Sequence, residues 1–411
     1  MTRVVRFHEY GPADVLRIDD IEVPAPAADE VQIAVRAIGL NRAEVMFRNG
    51  AYLQEAEFPS RLGYEAAGTV KAIGSDVSGF AEGDAVSVIP TLDMSRWSTY
   101  GEIINIPARY VVKHPAALSF EKAAASWMQY VTAWGALIDQ AKVTAEEFVI
   151  VSAASSSVGI AAIQVARSVK ATVIATTRTN AKAQALTDAG AHHVIATADG
   201  DLAARVKEIT GGKGARVVFD PIGGPAIAQF AEVMAVGGIL LEYGALSPDD
   251  GPFPQFAVLG KSLTIKGYLY TEIVGDDDAL ARAKAFITEG LESGKLDPLV
   301  SRTFPFDQIQ GSDPLPRVQR ADRQDRRDCL ICYREGSKGS LDIKWAWQSS
   351  DYDCHISVRA ERTAPSGFGF AHRTTAFERR HPAFRLPARP TSGHSYLFPR
   401  FPTSDVGSSC E

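Results

Sequence analysis

A run of small residues, Ala154, Ser155, Ser156 and Ser157, leads into Val158 and Gly159. It lies between an apolar stretch at 148–153 and a helix-like stretch that continues to Val169, and a second apolar stretch follows at 171–175. Strand, small-residue turn, helix and strand make a βαβ unit. Its first turn presents free backbone N–H groups and the positive end of a helix dipole, where a pyrophosphate can sit. The turn departs from G-x-G-x-x-G, since Ala153 and Ser155 or Ser156 stand where glycines would. A crossover that binds nothing has the same outline, so the residues after the second strand carry the decision. An Asp or Glu there would accept the adenosine ribose hydroxyls and favour NAD. This chain has Thr177-Arg178-Thr179 instead. The Arg178 guanidinium fork and the threonine hydroxyls suit a 2′-phosphate, and hence NADPH. Lys182, one helical turn on, adds a second cation; the alternative is that both charges are simply solvated. The serines do not read as a nucleophile, because G-x-S-x-G is missing and His8, His114, His192 and His193 stand in no arrangement with one.

The elements that would position this turn come from the periodicity. Strand and helix alternate over 147–244: 148–153, 158–169, 171–176, 180–189, 193–196, 201–210, 215–219, 225–234 and 238–243, with Gly190 and Gly211 as helix C-caps. That alternation predicts a parallel sheet covered on both faces. Ahead of it, short strand-like runs at 4–7, 16–18, 30–38, 86–89 and 110–112 lie among closely spaced glycines, which predicts a compact β-domain with tight turns. A short helix is expected at 41–47. The stretch 120–137 reads as helices split at Gln129–Thr132, the run 263–268 as a strand outside the alternating series, and 279–293 as a helix. The fold class is therefore α/β, a β-rich domain plus a doubly wound parallel sheet.

At 411 residues the chain can hold two or three domains, and 45% apolar with 22% charged residues is ordinary globular composition. The net charge of −6 argues against nucleic acid or an anionic membrane as partner. No apolar stretch reaches spanning length and no signal peptide is recognisable, so a cytoplasmic protein is expected. Cys329, Cys332, Cys354 and Cys410 account for all four cysteines, so residues 1–310 have neither disulfide nor thiolate-bound metal. Residues 311–411 carry 16 Lys+Arg against 12 Asp+Glu, leaving 27 against 37 before them. With periodicity lost as well, the last hundred residues look like a replaced, out-of-frame terminus, or else a basic disordered extension. Cys329 and Cys332 with Cys354 and His355 form only a weak zinc pattern.

The set PxPxxxEVxIxVxAxGLNRAE (24–44), GYEAAGTVxAxG (63–74), GDAV (83–86), Tyr130-Val131-Thr132-Ala133-Trp134, the nucleotide turn, Asp220-Pro221-Ile222-Gly223-Gly224 and Tyr243-Gly244-Ala245 resembles the medium-chain dehydrogenase/reductase superfamily, in its zinc-free quinone oxidoreductase-like branch. The resemblance covers roughly residues 1–310. It implies a GroES-like catalytic domain at 1–125, completed by about 260–310, and a Rossmann domain at 126–259, with residues 311–411 as an irregular tail. It also implies a homodimer joined through the Rossmann sheet edge, and a closing helix and strand that are not recognisable in this chain.

The resemblance places Thr132, Gly244 and Ala245 at the nicotinamide end and makes Lys182 a ligand of the phosphate. Zinc members carry a Cys where this chain has Asn41 and a His where it has Tyr64, so no metal is expected. Asn41 could donate to a quinone or enone oxygen or cap the helix that follows it. Tyr64 could be a proton donor or a packed aromatic, and Tyr52 and Trp97 could line a site for a planar acceptor or simply pack within the β-domain. The activity implied is NADPH-dependent hydride transfer to a quinone. An enoyl or 2-alkenal reductase, an alcohol dehydrogenase-like protein and a non-catalytic NADPH-binding protein are the alternatives.

Overall fold

The computed structural model describes residues 1–198 and 200–309, and the backbone of 331–334, all within one compact unit spanning Met1–Ser340. Of the zinc pattern, Cys332 is described in its backbone alone, and Cys329, Cys354 and His355, with most of the anomalous terminus, lie outside the described residues.

The chain opens with the antiparallel pair β1 (Thr2–Phe7) and β2 (Leu16–Ile21). Then come β3 (Glu30–Gly39), helix α1 (Arg42–Arg48), β4 (Ser60–Arg61), β5 (Glu65–Ile73), β6 (Ala85–Val88), β7 (Ile103–Pro107) and β8 (Val111–Lys113). Strands β2-β1-β4 form a small sheet, and β3, β5, β6 and β8 follow one another in a larger one, with β7 also on β3. The alternation of Val31, Ile33 and Val35 along β3 turns these side chains into a core shared with Val70, Val86 and Ile104. This is the expected GroES-like β-domain.

Helices α2 (Phe120–Ala124) and α3 (Trp127–Trp134) follow. The break falls at Ala125–Ser126, and the expected split at Gln129–Thr132 is the interior of α3. Gln129 Nε2 and Thr132 Oγ1 donate to the carbonyls of Ala125 and Met128, one turn back, at 2.5 and 2.6 Å. Polar residues that satisfy themselves on the preceding turn do not end a helix.

The second half runs β9 (Phe148–Val151), α4 (Ser157–Ser168), β10 (Thr172–Thr177), α5 (Ala183–Asp188), β11 (His193–Ala196), α6 (Leu202–Ile209), β12 (Ala215–Asp220), α7 (Ala226–Val233), β13 (Met234–Glu242), α8 (Gln255–Lys261) and β14 (Thr264–Gly267). Gly190 and Gly211, at φ +114° and +59°, lie just past the ends of α5 and α6. The six strands are all parallel in the order β11-β10-β9-β12-β13-β14. Thus β14, expected outside the alternating series, is the sixth strand of the same sheet. Isolated apolar runs do not announce which sheet they join; here β13 offers a free edge to pair with.

Two helices, α9 (Thr271–Val274) and α10 (Asp277–Glu292), lead to β15 (Arg302–Pro305). A last strand, β16 (Ile331–Arg334), pairs in parallel with β15 and antiparallel with β3, closing the larger sheet. The closing strand that the sequence leaves unrecognisable is thus present as β16. Four residues of backbone pairing need no periodicity longer than themselves.

Candidate active site

The order of the parallel sheet reverses between β9 and β12, which opens a crevice at the carboxyl ends of those strands. Ser152, the residue after β9, donates its N–H to the Phe219 carbonyl at 3.1 Å, and its hydroxyl bonds Asp220. Asp220 is fully buried, and burial pushes its carboxyl up despite N–H donors from Ile222 at 3.2 Å and Gly223 at 2.9 Å. Gly223 and Gly224 both adopt positive φ, +68° and +59°. The Asp220-Pro221-Ile222-Gly223-Gly224 motif is thus an Asp-anchored turn beside the crevice.

The small-residue turn leads directly into α4. Ala153 holds φ +42°, a left-handed conformation where the fingerprint would have glycine. Ser156 is the N-cap of α4, its Oγ accepting the N–H of Gly159 at 3.1 Å. A Cβ on Gly159 would lie 2.6 Å from the Ala154 carbonyl oxygen, so the helix can start this close to the turn only with glycine there. Ser155, Ser157 and Val158 are half-buried on the same turn.

Arg178 lies just past the end of β10 and is exposed, and Lys182 is half-buried in the short 3₁₀ turn that follows. Gly244 follows β13, where a Cβ would approach the Pro221 carbonyl oxygen to 2.9 Å. The neighbouring turn accounts for this glycine, and Ala245 beside it is exposed. Tyr243 stacks on Phe219 with centroids 4.0 Å apart and rings 15° from parallel, forming a wall between the ends of β12 and β13.

On the β-domain side, Asn41 is the N-cap of α1, and Glu44 accepts its N–H at 2.7 Å. The Asn41 amide Nδ2 donates to Glu65 at 3.2 Å. Asn41 therefore occupies the cap position while its side chain is held by a second residue. The Tyr64 hydroxyl donates to that of Tyr52 at 3.1 Å, and its ring meets Tyr270 edge-on at 5.6 Å. Tyr270 in turn donates to the Thr91 carbonyl at 2.8 Å, which ties the segment after β14 to the β-domain. Tyr64 is buried while Tyr52 is half-buried, and burial raises both phenols, Tyr64 far more. Trp97 is half-buried, 6.5 Å from the Tyr110 ring, and packs against the same core as Tyr52.

Two residues that sequence reasoning passed over complete the arrangement. Glu44 and Glu65 are 2% and 1% exposed. Glu44 accepts from the N–H of Asn41, the N–H of Tyr64 at 2.9 Å and the Tyr100 hydroxyl at 2.6 Å, yet burial pushes it up to about 7. Burial likewise pushes Glu65 up to about 8. A signal for each was present: Glu44 is three residues after a cap-type Asn, and Glu65 is an ionisable group inside the apolar run 62–70. Among the described residues no group of three or more His, Cys, Asp or Glu could hold a metal ion.

A six-stranded sheet in this order, with a capped small-residue turn at its switch point, defines a dinucleotide-binding α/β protein joined to a GroES-like domain. Residues 27–116 match the alcohol dehydrogenase GroES-like domain family and residues 157–286 the zinc-binding dehydrogenase family. Quinone oxidoreductase 1 of Escherichia coli (strain K12) is 35% identical over 273 residues, covering 66% of this chain and 80% of that protein. The crystal structure of Escherichia coli quinone oxidoreductase complexed with NADPH superposes with a TM-score of 0.71 at 29% identity, over 81% of this chain and 99% of that one. A structure titled NAD-dependent alcohol dehydrogenase gives 0.72 at 29%, over 81% and 100%. The chain belongs to the medium-chain dehydrogenase/reductase superfamily, in its quinone oxidoreductase-like branch.

Proposed function

We propose that this chain is an NADPH-dependent, zinc-independent oxidoreductase that passes hydride to a quinone or a similarly activated acceptor. The observation that carries the reading is the donor set of the β-domain. Where zinc members of the superfamily hold a thiolate and an imidazole, this chain holds an amide, Asn41, and a buried phenol, Tyr64. Neither is a zinc ligand, so the residues do not fit a catalytic zinc, and an acceptor that needs no Lewis acid is required.

The residues do fit a dinucleotide. The Ser155–Gly159 turn and the N-terminus of α4 would hold the pyrophosphate, since Gly159 leaves the close approach that a Cβ would fill. Arg178 and Lys182 would take the 2′-phosphate, with Thr132, Gly244 and Ala245 at the nicotinamide end. When bound, NADPH supplies a hydride, and the chain's own groups orient the acceptor. Asn41 would donate to the acceptor oxygen, and Tyr52 would line its ring plane. Tyr64, buried behind Tyr52, orients the Tyr52 hydroxyl and is held protonated.

The division of labour proposed is a catalytic domain at 1–125, completed beyond the sheet by the segment up to about 310, and a nucleotide domain from 126 onward. Its border moves from 259 to past Gly267, so as to include β14. A homodimer across the outer edge of β14 is part of the reading. That edge is unpaired among the described residues, and Phe256 and Leu259 of α8 are 81% and 76% exposed. Among the described residues no helix is long and apolar enough to cross a membrane, and a cytoplasmic location completes the proposal.

An acceptor panel tests the function: NADPH oxidation with a quinone, an α,β-unsaturated aldehyde and a simple aldehyde. Turnover with the quinone is expected. Preference for the unsaturated aldehyde would make the protein an alkenal reductase, and NADPH binding without turnover would make it a non-catalytic binding protein.

A further inference from the structure

Glu65 touches both halves of the site. It opens β5, and the side chain of Gly39 that would crowd it is absent: a Cβ there would lie 2.6 Å from the Glu65 Cγ. One carboxylate oxygen accepts the Asn41 Nδ2 at 3.2 Å, and the other accepts the N–H of Met128 at 2.9 Å. Met128 is in the first turn of α3, and its carbonyl accepts the Thr132 hydroxyl at 2.6 Å. Asn41, Glu65, Met128 and Thr132 thus form one bonded line from the loop at the end of β3 to the helix carrying Thr132.

We propose that Glu65 is a positioning residue that fixes the Asn41 amide relative to helix α3, and with it the acceptor's hydrogen-bond donor relative to the nicotinamide end of the cofactor site. The proposal rests on the reading in which Asn41 and Thr132 face those two ligands. A charged carboxylate suits both contacts, because each of its oxygens accepts one N–H. Protonation turns one oxygen into a donor and sets it against an N–H it should accept. The groups facing Glu65 are Asn41, the N–H groups of Trp127 and Met128 at the start of α3, and Glu44, whose like negative charge disfavours ionisation of Glu65. Burial pushes Glu65 up to about 8, so the change of state falls within the range an assay can cover.

Glu65→Gln separates positioning from folding. Its carbonyl can keep the Met128 N–H only by turning its own NH₂ toward Asn41, so the Asn41 amide must invert to present its carbonyl inward. The expected result is a melting temperature close to that of the wild type, with kcat for quinone reduction, compared above about pH 8 where Glu65 carries its charge, falling by about 100-fold, the cost of a misplaced reacting group. The NADPH KM stays within about threefold, and the rise in kcat through pH 8 is lost.

In a double-mutant cycle with Asn41→Ala, adding Glu65→Gln costs less than about threefold further, because both changes remove the same interaction. Multiplicative losses in that cycle, or kcat of Glu65→Gln at the wild-type level, would overturn the proposal. If the wild type turns over no acceptor, the functional reading fails and Glu65 is judged separately by amide hydrogen exchange over 127–134. There Glu65→Ala should speed exchange at Met128 by about tenfold or more, as expected when a buried N–H loses its acceptor. Unchanged protection in that variant would overturn the clamp.

Discussion

The carbonyl oxygen of Ala154 lies 2.6 Å from where a Cβ on Gly159 would sit. That contact sets how closely α4 can follow the turn, and so whether the N–H groups at the start of the helix reach a pyrophosphate. Gly159→Ala must push the helix away or strain the turn, which already holds Ala153 at φ +42°. The expected cost in stability is about 1–3 kcal/mol, the range for overpacking a tight site. Nucleotide affinity should fall further than stability does, as isothermal titration beside thermal melting would read.

Arg178 follows β10 and is exposed, and Lys182 lies half-buried one short turn on. If they hold a 2′-phosphate, Arg178→Ala should weaken NADPH by about tenfold or more, the size of one charge-assisted contact, and leave NADH nearly unchanged. Lys182→Ala should act in the same direction by less, since an ammonium makes no bidentate contact. Equal weakening of both nucleotides would assign the two cations to the fold.

Stability should fall as pH rises from about 4.5 to about 8, through Glu65, and to about 7 through Glu44. Both folded carboxyls titrate above their unfolded value because burial disfavours the charge, so in that window the native state binds protons that the unfolded chain has released. Asp19, Asp93, Glu102 and Asp139 are shifted the other way, and their contribution is lost only as pH falls below the unfolded carboxylate range. Glu65→Gln should flatten the slope between pH 7 and 8 in a melting series. A wild-type melting temperature that climbs across pH 5–8 would contradict the assignment.

The Tyr64 phenol donates to Tyr52 and is pushed far above its ordinary value by burial, so it is a poor source of a proton. Tyr64→Phe should cost about 0.5–1.5 kcal/mol of stability for the lost hydrogen bond and leave kcat within a few-fold. Tyr52→Phe, altering the half-buried partner, should raise the quinone KM more than Tyr64→Phe does. A collapse of kcat in Tyr64→Phe alone would return Tyr64 to the role of proton donor.

Most of the fold could be read from the chain because the parallel strands are short apolar runs set off by glycines, with Gly190 and Gly211 ending helices as their type suggests. The nucleotide turn was legible for the same reason, small residues between strand and helix. The site's polar support was not. Glu44 and Glu65 look like ordinary charges until the β-domain buries them, and nothing local says that Glu65 will meet Met128 from a distant helix. Likewise the register that brings β14 to β13, or β16 between β15 and β3, is set by free sheet edges and by no pattern within the strands themselves. Asn41 shows both sides of this: its cap role follows from its neighbours in sequence, and its tether to Glu65 only from the fold.

The most direct test is a fluorescence titration of chelator-treated protein with NADPH and, in parallel, with NADH. The account predicts saturable NADPH binding unaffected by metal removal, at least about tenfold tighter than NADH, as a 2′-phosphate held by an arginine implies. Tight NADH with weak NADPH, or binding that returns only when zinc is restored, would contradict it.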